Sequence, residues 1–453
     1  MVQAKIARWS LAVVLLATAG CGSADAYAAR QRAVRTAPPA WDHEWARGAV
    51  FYEIFVRSFA DSDGDGIGDF NGLTSKLDYL NDGNPATTTD LGIDGIWLMP
   101  AFESSSYHGY DTIDYARIER DYGTNEDFRR FLDEAHRRGI RVILDFVINH
   151  TGIDHPWFIE SASSTASPKR NWYVWSATDP GWRQPWGGSD PSWHLRNGAW
   201  YYGAFWSGMP DLNFRNRETK AEIFRLARHW IQSGADGYRL DATRYLVEDG
   251  PGERGQADTP ETHAVLRELS DEVRRANPRA LLIAENTVKT PALAQYFASV
   301  PMNFNFPLAE AIVKGVDEKS AERVKAVLRD MSALYPPNII DVPFITNHDQ
   351  IRVATVFRND AAKLRSASAI LLTLPGLPFI YYGEELGLQN GPSNADEWKR
   401  TPMPWTPAGG FTVGTPWHAF APGVGQANVA AQTADRSSLL SHYRDLIRAR
   451  KSS

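Results

Sequence analysis

Ala235-Asp-Gly-Tyr-Arg-Leu-Asp241 is a short, largely apolar run that ends on a carboxylate. Two later runs end the same way, Leu281-Leu-Ile-Ala-Glu285 and Pro343-Phe-Ile-Thr-Asn-His-Asp349. If each run is a buried strand of one parallel sheet, the three carboxyls emerge at one C-terminal rim, where a barrel enzyme carries its chemistry. Arg239 lies two residues before Asp241, so on a strand its side chain leaves the same face. A carboxylate beside a guanidinium stays ionised at neutral pH. That marks Asp241 as a nucleophile and sets it apart from Glu285, whose own run holds no cation.

Eight such runs are spread along the chain, at about 49–56, 93–99, 141–148, 235–241, 280–285, 301–304, 342–346 and 378–382. Amphipathic stretches separate them. In Glu126 to Arg138, Phe128, Phe131, Leu132 and Ala135 share one side. Glu218 to Gln232 behaves likewise. In Pro260 to Arg275, Thr259 suits the cap and Pro260 the first helical position. Strand–helix alternation predicts a parallel sheet, and eight repeats predict an α/β fold of the closed (β/α)8 TIM barrel type.

Two connections are oversized. Residues 150–208 are rich in Gly, Pro, Ser and aromatics, with Trp172, Trp175, Trp182, Trp186, Trp193, Trp200 and Trp206 among them. A structureless loop of that length is unfavourable, so a small irregular subdomain is expected over the rim. The barrel then comprises 41–149 and 209–453. The second insertion, from Gly387 to about Arg436, contains Arg400-Thr-Pro-Met-Pro-Trp405. The tail, Ser437 to Arg450, reads as a final helix with Leu439, Leu440, Tyr443, Leu446 and Ile447 on one face.

A chain of 453 residues exceeds one simple core. The net charge of -6 and the lack of basic blocks argue against nucleic acid as a partner. The 16 Trp and 17 Tyr supply flat faces that suit sugar rings. At the N-terminus, Lys5 and Arg8 precede an apolar Trp9 to Ala17, too short to span a bilayer. Residues 1–21 therefore read as an export signal of lipoprotein type. Cys21, the sole cysteine, is the expected lipid anchor, and 22–40 is the expected linker. The chain is expected to be exported from a bacterial cell to the periplasm, the outer membrane or the medium.

Asp61-Ser-Asp-Gly-Asp-Gly-Ile-Gly-Asp69 follows the first strand. Carboxylates at alternate positions, separated by glycines, wrap a hard cation such as Ca²⁺. The expected ligands are Asp61, Asp63, Asp65, Asp69 and the Ile67 carbonyl. The loop departs from an EF-hand at its twelfth position, Gly72.

Taken in order, Asp145-Phe-Val-Ile-Asn-His150, Met209-Pro-Asp-Leu-Asn213, Gly237-Tyr-Arg-Leu-Asp241, Ala284-Glu285, Phe344-Ile-Thr-Asn-His-Asp349 and Gly383-Glu-Glu385 resemble the α-amylase family of glycoside hydrolases, family 13. The likeness runs from about Trp41 to Ser453 and falls between the oligo-1,6-glucosidase and neopullulanase/α-amylase groups. It implies that Asp241 is the nucleophile, Glu285 the general acid/base and Asp349 the carboxylate that stabilises the transition state. It also implies that His150, Arg239 and His348 contact the sugar before the scissile bond, with Tyr110 stacked on it. The Asp61 loop resembles the single structural Ca²⁺ loop of the oligo-1,6-glucosidase side. The family normally continues into a β-sandwich after the barrel; this domain is expected to be missing here, leaving Leu439 and Leu446 partly exposed.

The substrate clues divide. The Asp61 loop and Arg400-Thr-Pro-Met-Pro-Trp405 resemble exo-acting α-glucosidases, which carry an acidic residue three positions before the stacking tyrosine. Here that position is Tyr107, and Ser106-Tyr-His-Gly-Tyr-Asp111 is closer to endo-acting amylases. Ala242 replaces the Val of α-1,6-specific relatives. The expectation is a retaining hydrolase of α-1,4 bonds in starch, maltodextrins or malto-oligosaccharides. The alternatives are an exo-acting α-glucosidase, oligo-1,6-glucosidase or transglycosylase and, from another class, a non-catalytic barrel used as a binding module.

Overall fold

Seven short strands lie side by side and parallel. They are β1 (Phe51–Ile54), β2 (Gly95–Leu98), β3 (Arg141–Phe146), β4 (Gly237–Leu240), β5 (Leu281–Ala284), β6 (Met302–Asn303) and β7 (Phe379–Tyr381), in sheet order β6-β5-β4-β3-β2-β1-β7. The computed structural model describes residues 37–452. The expected signal segment, Cys21 and most of the linker lie outside these residues.

The run expected at 342–346 is not a regular strand. It joins the ring through single parallel bridges, Phe304 to Val342 and Phe344 to Phe379. Those bridges link the two edges of the sheet and close the (β/α)8 barrel. Pro343 removes one ladder donor, which accounts for the broken pairing.

Alternation along each strand sorts side chains between two cores. Phe51, Trp97, Ile143, Leu281, Ile283, Met302, Phe304, Phe344 and Phe379 fill the barrel interior. Tyr52, Ile54, Ile96, Leu98, Val142 and Leu144 face the helices. By the same two-residue period, Glu53, Asp145 and Arg239 point inward, one layer above the apolar plug.

The helices form where caps and apolar stripes agree. In α1 (Asn125–Arg137), Thr124 and Asp127 make a reciprocal capping box, and Phe128, Phe131, Leu132 and Ala135 are buried. Each large side chain so buried contributes about 1.5–3 kcal/mol. In α2 (Pro260–Ala276), the Thr259 hydroxyl accepts from the Thr262 amide, with Pro260 at the first turn. In α3 (Leu439–Ser452), Leu440, Tyr443 and Ile447 are buried, while Leu439 and Leu446 are half-buried against the main core.

The first insertion folds around a three-stranded antiparallel sheet, Trp175–Ser176, Ala199–Tyr202 and Trp193–Arg196. Trp193, Tyr202 and Ala204 form its own small core, with Trp182, Trp200 and Phe205 packed on it. Its neck is closed by bridges from His150 to Asp211 and from Tyr173 to Leu212.

Candidate active site

Arg239 is the hub of the site. Parallel register sets it beside Asp145 of β3 and Ile283 of β5. Nη1 donates to both Asp145 oxygens, at 2.9 and 3.0 Å, and to Asp241 Oδ1 at 2.6 Å. Nη2 reaches Glu285 Oε2 at 2.8 Å. The guanidinium also lies over the Trp97 ring, 5.2 Å from its centroid. The structure thus corrects one expectation: the cation is not private to Asp241. Glu285 reaches it from the neighbouring strand, a contact that inspection of its own run could not anticipate.

One buried cation beside three carboxylates cannot keep all of them ionised. Burial pushes Glu285 up to about 7, against the pull of Arg239 and with the help of the Asp241 and Asp349 charges. Burial likewise raises Asp145 to about 7 and raises Asp241, each opposed by Arg239. A carboxyl that holds its proton near neutrality beside one that accepts a 2.6 Å charge-assisted hydrogen bond can serve as an acid beside a nucleophile in one pocket. Ala242, next in the chain, takes a left-handed conformation with φ of 49°, and its amide points at Glu285 Oε2, 3.3 Å away. A non-glycine residue held there is strained.

Asp349 lines the same cleft as Asp241 and Glu285. It is set deep in the molecule, yet half of its side chain opens to the cleft. Burial would raise it, but the charges of His348, Arg400 and Arg239 win and hold it well below the usual carboxylate range. His348 Nε2 is 3.3 Å from Asp349, and its Nδ1 is 2.5 Å from Glu53 Oε1. Burial lowers the imidazole, but these two carboxylates more than compensate and push it up to about 9. Tyr110 lies almost parallel to His348, with centroids 5.6 Å apart, and its hydroxyl contacts His348 and Asp145 at 2.5 and 3.1 Å. His150 is buried and pushed down to about 4 by burial. Its Nε2 has no hydrogen-bond partner among the described residues.

These groups line a cleft of about 570 Å³. Tyr110, His150, Asp241, Glu285 and Asp349 reach its surface; Arg239 and His348 lie behind them. Two members were not singled out from sequence. Glu53 sits inside an apolar run, where a lone carboxylate was the available signal. Arg400 comes from the second insertion and donates to Asp349 Oδ1 at 2.9 Å and Asp396 Oδ2 at 3.2 Å.

The acidic loop is only partly as expected. Asp61, Asp63 and Asp65 bring one oxygen each within 4.8 Å of one another. Backbone amides pre-shape the loop: Asp61 accepts from Asp63, Gly64 and Gly66, Asp63 from Asp65, and Asp65 from Ile67. Burial, and then the charges of Asp63 and Asp61, push Asp65 up against the Ile67 amide. Asp69 stands apart from this trio. Its oxygens accept from the Ser62 amide and hydroxyl and from Gly72, where it caps the helix Phe70–Ser75. Three converging hard oxygens fit a cation of the calcium type.

The family model for the α-amylase catalytic domain matches residues 53–453. Alpha-amylase 3 of Dictyoglomus thermophilum is 39% identical over 416 residues, covering 90% of this chain and 78% of that protein. The oligo-1,6-glucosidase of Heyndrickxia coagulans is 32% identical, over 90% of this chain and 85% of its own length. The crystal structure of the alpha-amylase from H.orenii superposes with a TM-score of 0.79 at 40% identity, covering 89% of this chain and 82% of that one.

Proposed function

This chain belongs to the α-amylase family of glycoside hydrolases, and from that premise we propose that it is a retaining enzyme that cleaves α-1,4-glucosidic bonds in starch, maltodextrins or malto-oligosaccharides. The observation that carries the reading is the sharing of one Arg239 guanidinium by Asp241 and Glu285. Carboxyls bridged by a single fork are close, as double displacement through a covalent intermediate requires.

Asp241 attacks the anomeric carbon while Glu285, protonated near neutrality, gives its proton to the departing glycosidic oxygen. Water, deprotonated by Glu285, then displaces Asp241 and restores both carboxyls. Asp349, ionised across the cleft, stabilises the positive charge that develops on the sugar. Tyr110 stacks on the ring, and His150 lines the same cleft beside it. Arg239 and His348 act from behind by holding the carboxylates and Tyr110. The α-1,4 preference is supported by Ala242, and action within a longer chain by a half-buried aromatic, Tyr107, where an exo-acting pocket needs a carboxylate; Tyr107 stacks on Trp417 at 5.4 Å.

Asp61, Asp63 and Asp65 would hold a structural Ca²⁺, which neutralises their repulsion. Export, with lipid on Cys21, is part of the proposal and is tested by labelling expressed protein with a fatty acid before and after Cys21→Ser.

Chromatography of products from starch, maltotriose and isomaltose tests the main reading. Malto-oligosaccharides from starch, with isomaltose left intact, are expected. Asp241→Asn is expected to lower turnover by at least about 10³-fold. Unchanged turnover in that variant rules out the assigned nucleophile.

A further inference from the structure

The flank of the cleft next to Glu285 is aromatic. Thr243–Tyr245 is a tight turn directly after Ala242, and Thr243 Oγ1 donates to the Glu285 carbonyl at 3.0 Å. Tyr245 therefore stands on the acid's side of the cleft, close enough for the Glu285 charge to act on its hydroxyl. Arg244 steadies this turn, bound to Asp258 at 2.6 Å and Glu253 at 2.9 Å. Phe205, from the inserted subdomain, meets Tyr245 edge-on at 5.7 Å and His150 at 5.1 Å. Trp186 rests on both, 5.3 Å from Phe205 and 5.7 Å from Tyr245. It nonetheless leaves 45% of its surface open, and it lines the cleft.

Trp206, 54% open, lines the same cleft, so the exposed aromatic surface here is more than a single scattered side chain. Trp186, held by two ring contacts and open over nearly half of its surface, offers a flat apolar group to the cleft. The group that departs on the Glu285 side is the one Glu285 protonates. For an α-glucan, that group is a glucosyl ring, whose axial C–H faces suit an indole.

Resting on the glycosidase reading above, we propose that Trp186, seated on Phe205 and Tyr245, is the stacking platform for the first glucosyl unit beyond the scissile bond. It is a specificity-determining residue that selects a sugar as leaving group. The rest of the lining includes the polar and charged His108, Asp349, Asp396 and Arg400.

The test compares maltotriose, whose leaving group is a sugar, with α-glucosyl fluoride, whose leaving group is a single atom. Turnover of the fluoride by the unaltered enzyme reports Asp241 chemistry without a sugar on the Glu285 side. Trp186→Ala is expected to lower kcat/KM for maltotriose about tenfold more than for the fluoride, chiefly through KM, and Trp186→Phe to restore most of the loss. Equal losses on both substrates would mean a structural role only and would overturn the proposal. So would no loss on maltotriose. An unaltered enzyme inert toward both maltotriose and the fluoride would instead refute the glycosidase reading, and with it this one.

Discussion

Arg400 and Asp349 are 51 residues apart in sequence, and their side chains meet at 2.9 Å on one wall of the cleft. Arg400 is buried, bonds the His348 carbonyl through Nε at 3.2 Å, and also holds Asp396. Its charge helps keep Asp349 ionised, and its fork fixes where that carboxylate points. Arg400→Ala is therefore expected to reduce kcat/KM on malto-oligosaccharides about 10- to 100-fold, the range for a lost charge-assisted hydrogen bond. Arg400→Lys, which keeps the charge but not the fork, is expected to recover only part of that. Steady-state kinetics on the two variants decide it; full activity in Arg400→Ala would show that Asp349 needs no such support.

The raised Glu285 gives the reaction a predictable alkaline limb. A general acid works only while protonated, so kcat/KM for maltotriose is expected to fall as pH rises through about 7. Fluoride leaves without a proton, so the same limb is expected to vanish for α-glucosyl fluoride. Identical profiles on the two substrates would assign the limb to some other group.

The three strand-end carboxylates could be read from the chain because a strand that closes on Asp or Glu announces a rim residue. Arg239 could be read because a two-residue offset fixes its face. What escaped depended on register and on insertions. That Arg239 also serves Glu285 follows from the pairing of β4 with β5, which no single run contains. Glu53 is half of a contact whose other half, His348, lies 295 residues away. Arg400 and Trp186 arrive from long insertions whose paths are set by packing rather than by periodicity. Asp69 shows the converse, since a carboxylate in a metal-like spacing is also an N-cap.

A second pH effect concerns stability, away from the cleft. Glu384 and Glu385 are buried next to each other. Glu384 Oε1 accepts from Tyr443 of α3 at 2.9 Å, and its Oε2 has no partner among the described residues. Burial raises Glu384 from 4.5 to about 8, with the Glu385 charge adding to the effect and Tyr443 opposing it. A carboxyl raised in the folded state favours folding fully below pH 4.5. That contribution is lost as pH climbs to about 8, because the unfolded chain ionises more readily. Glu384→Gln keeps the acceptor for Tyr443 and cannot ionise. Its Tm is expected to match the unaltered protein near pH 4.5 and to exceed it by about 5 °C at pH 8.5. A constant gap across that range would contradict the buried-acid account.

The acidic loop is built into the second insertion and through it into the cleft. The Asp61 amide donates to the Phe411 carbonyl at 3.0 Å, and the Trp417 amide donates to the Gly66 carbonyl at 2.8 Å. Gly66 has φ of 95°, and a Cβ there would lie 2.0 Å from the Thr415 carbonyl oxygen, so no other residue fits. Trp417 stacks on Tyr107, which lies under Arg400 at 6.0 Å. Without a cation, three carboxylates within 4.8 Å repel at the foot of this stack. A calcium chelator is expected to lower Tm by about 5 °C, the loss of a ligand present well above its Kd. It is also expected to raise KM for maltotriose, as Tyr107 and Arg400 lose their backing. Asp63→Ala is expected to reproduce both effects and to abolish the response to chelator. If chelation shifts neither Tm nor KM, the loop is a hydrogen-bonded turn that works without metal.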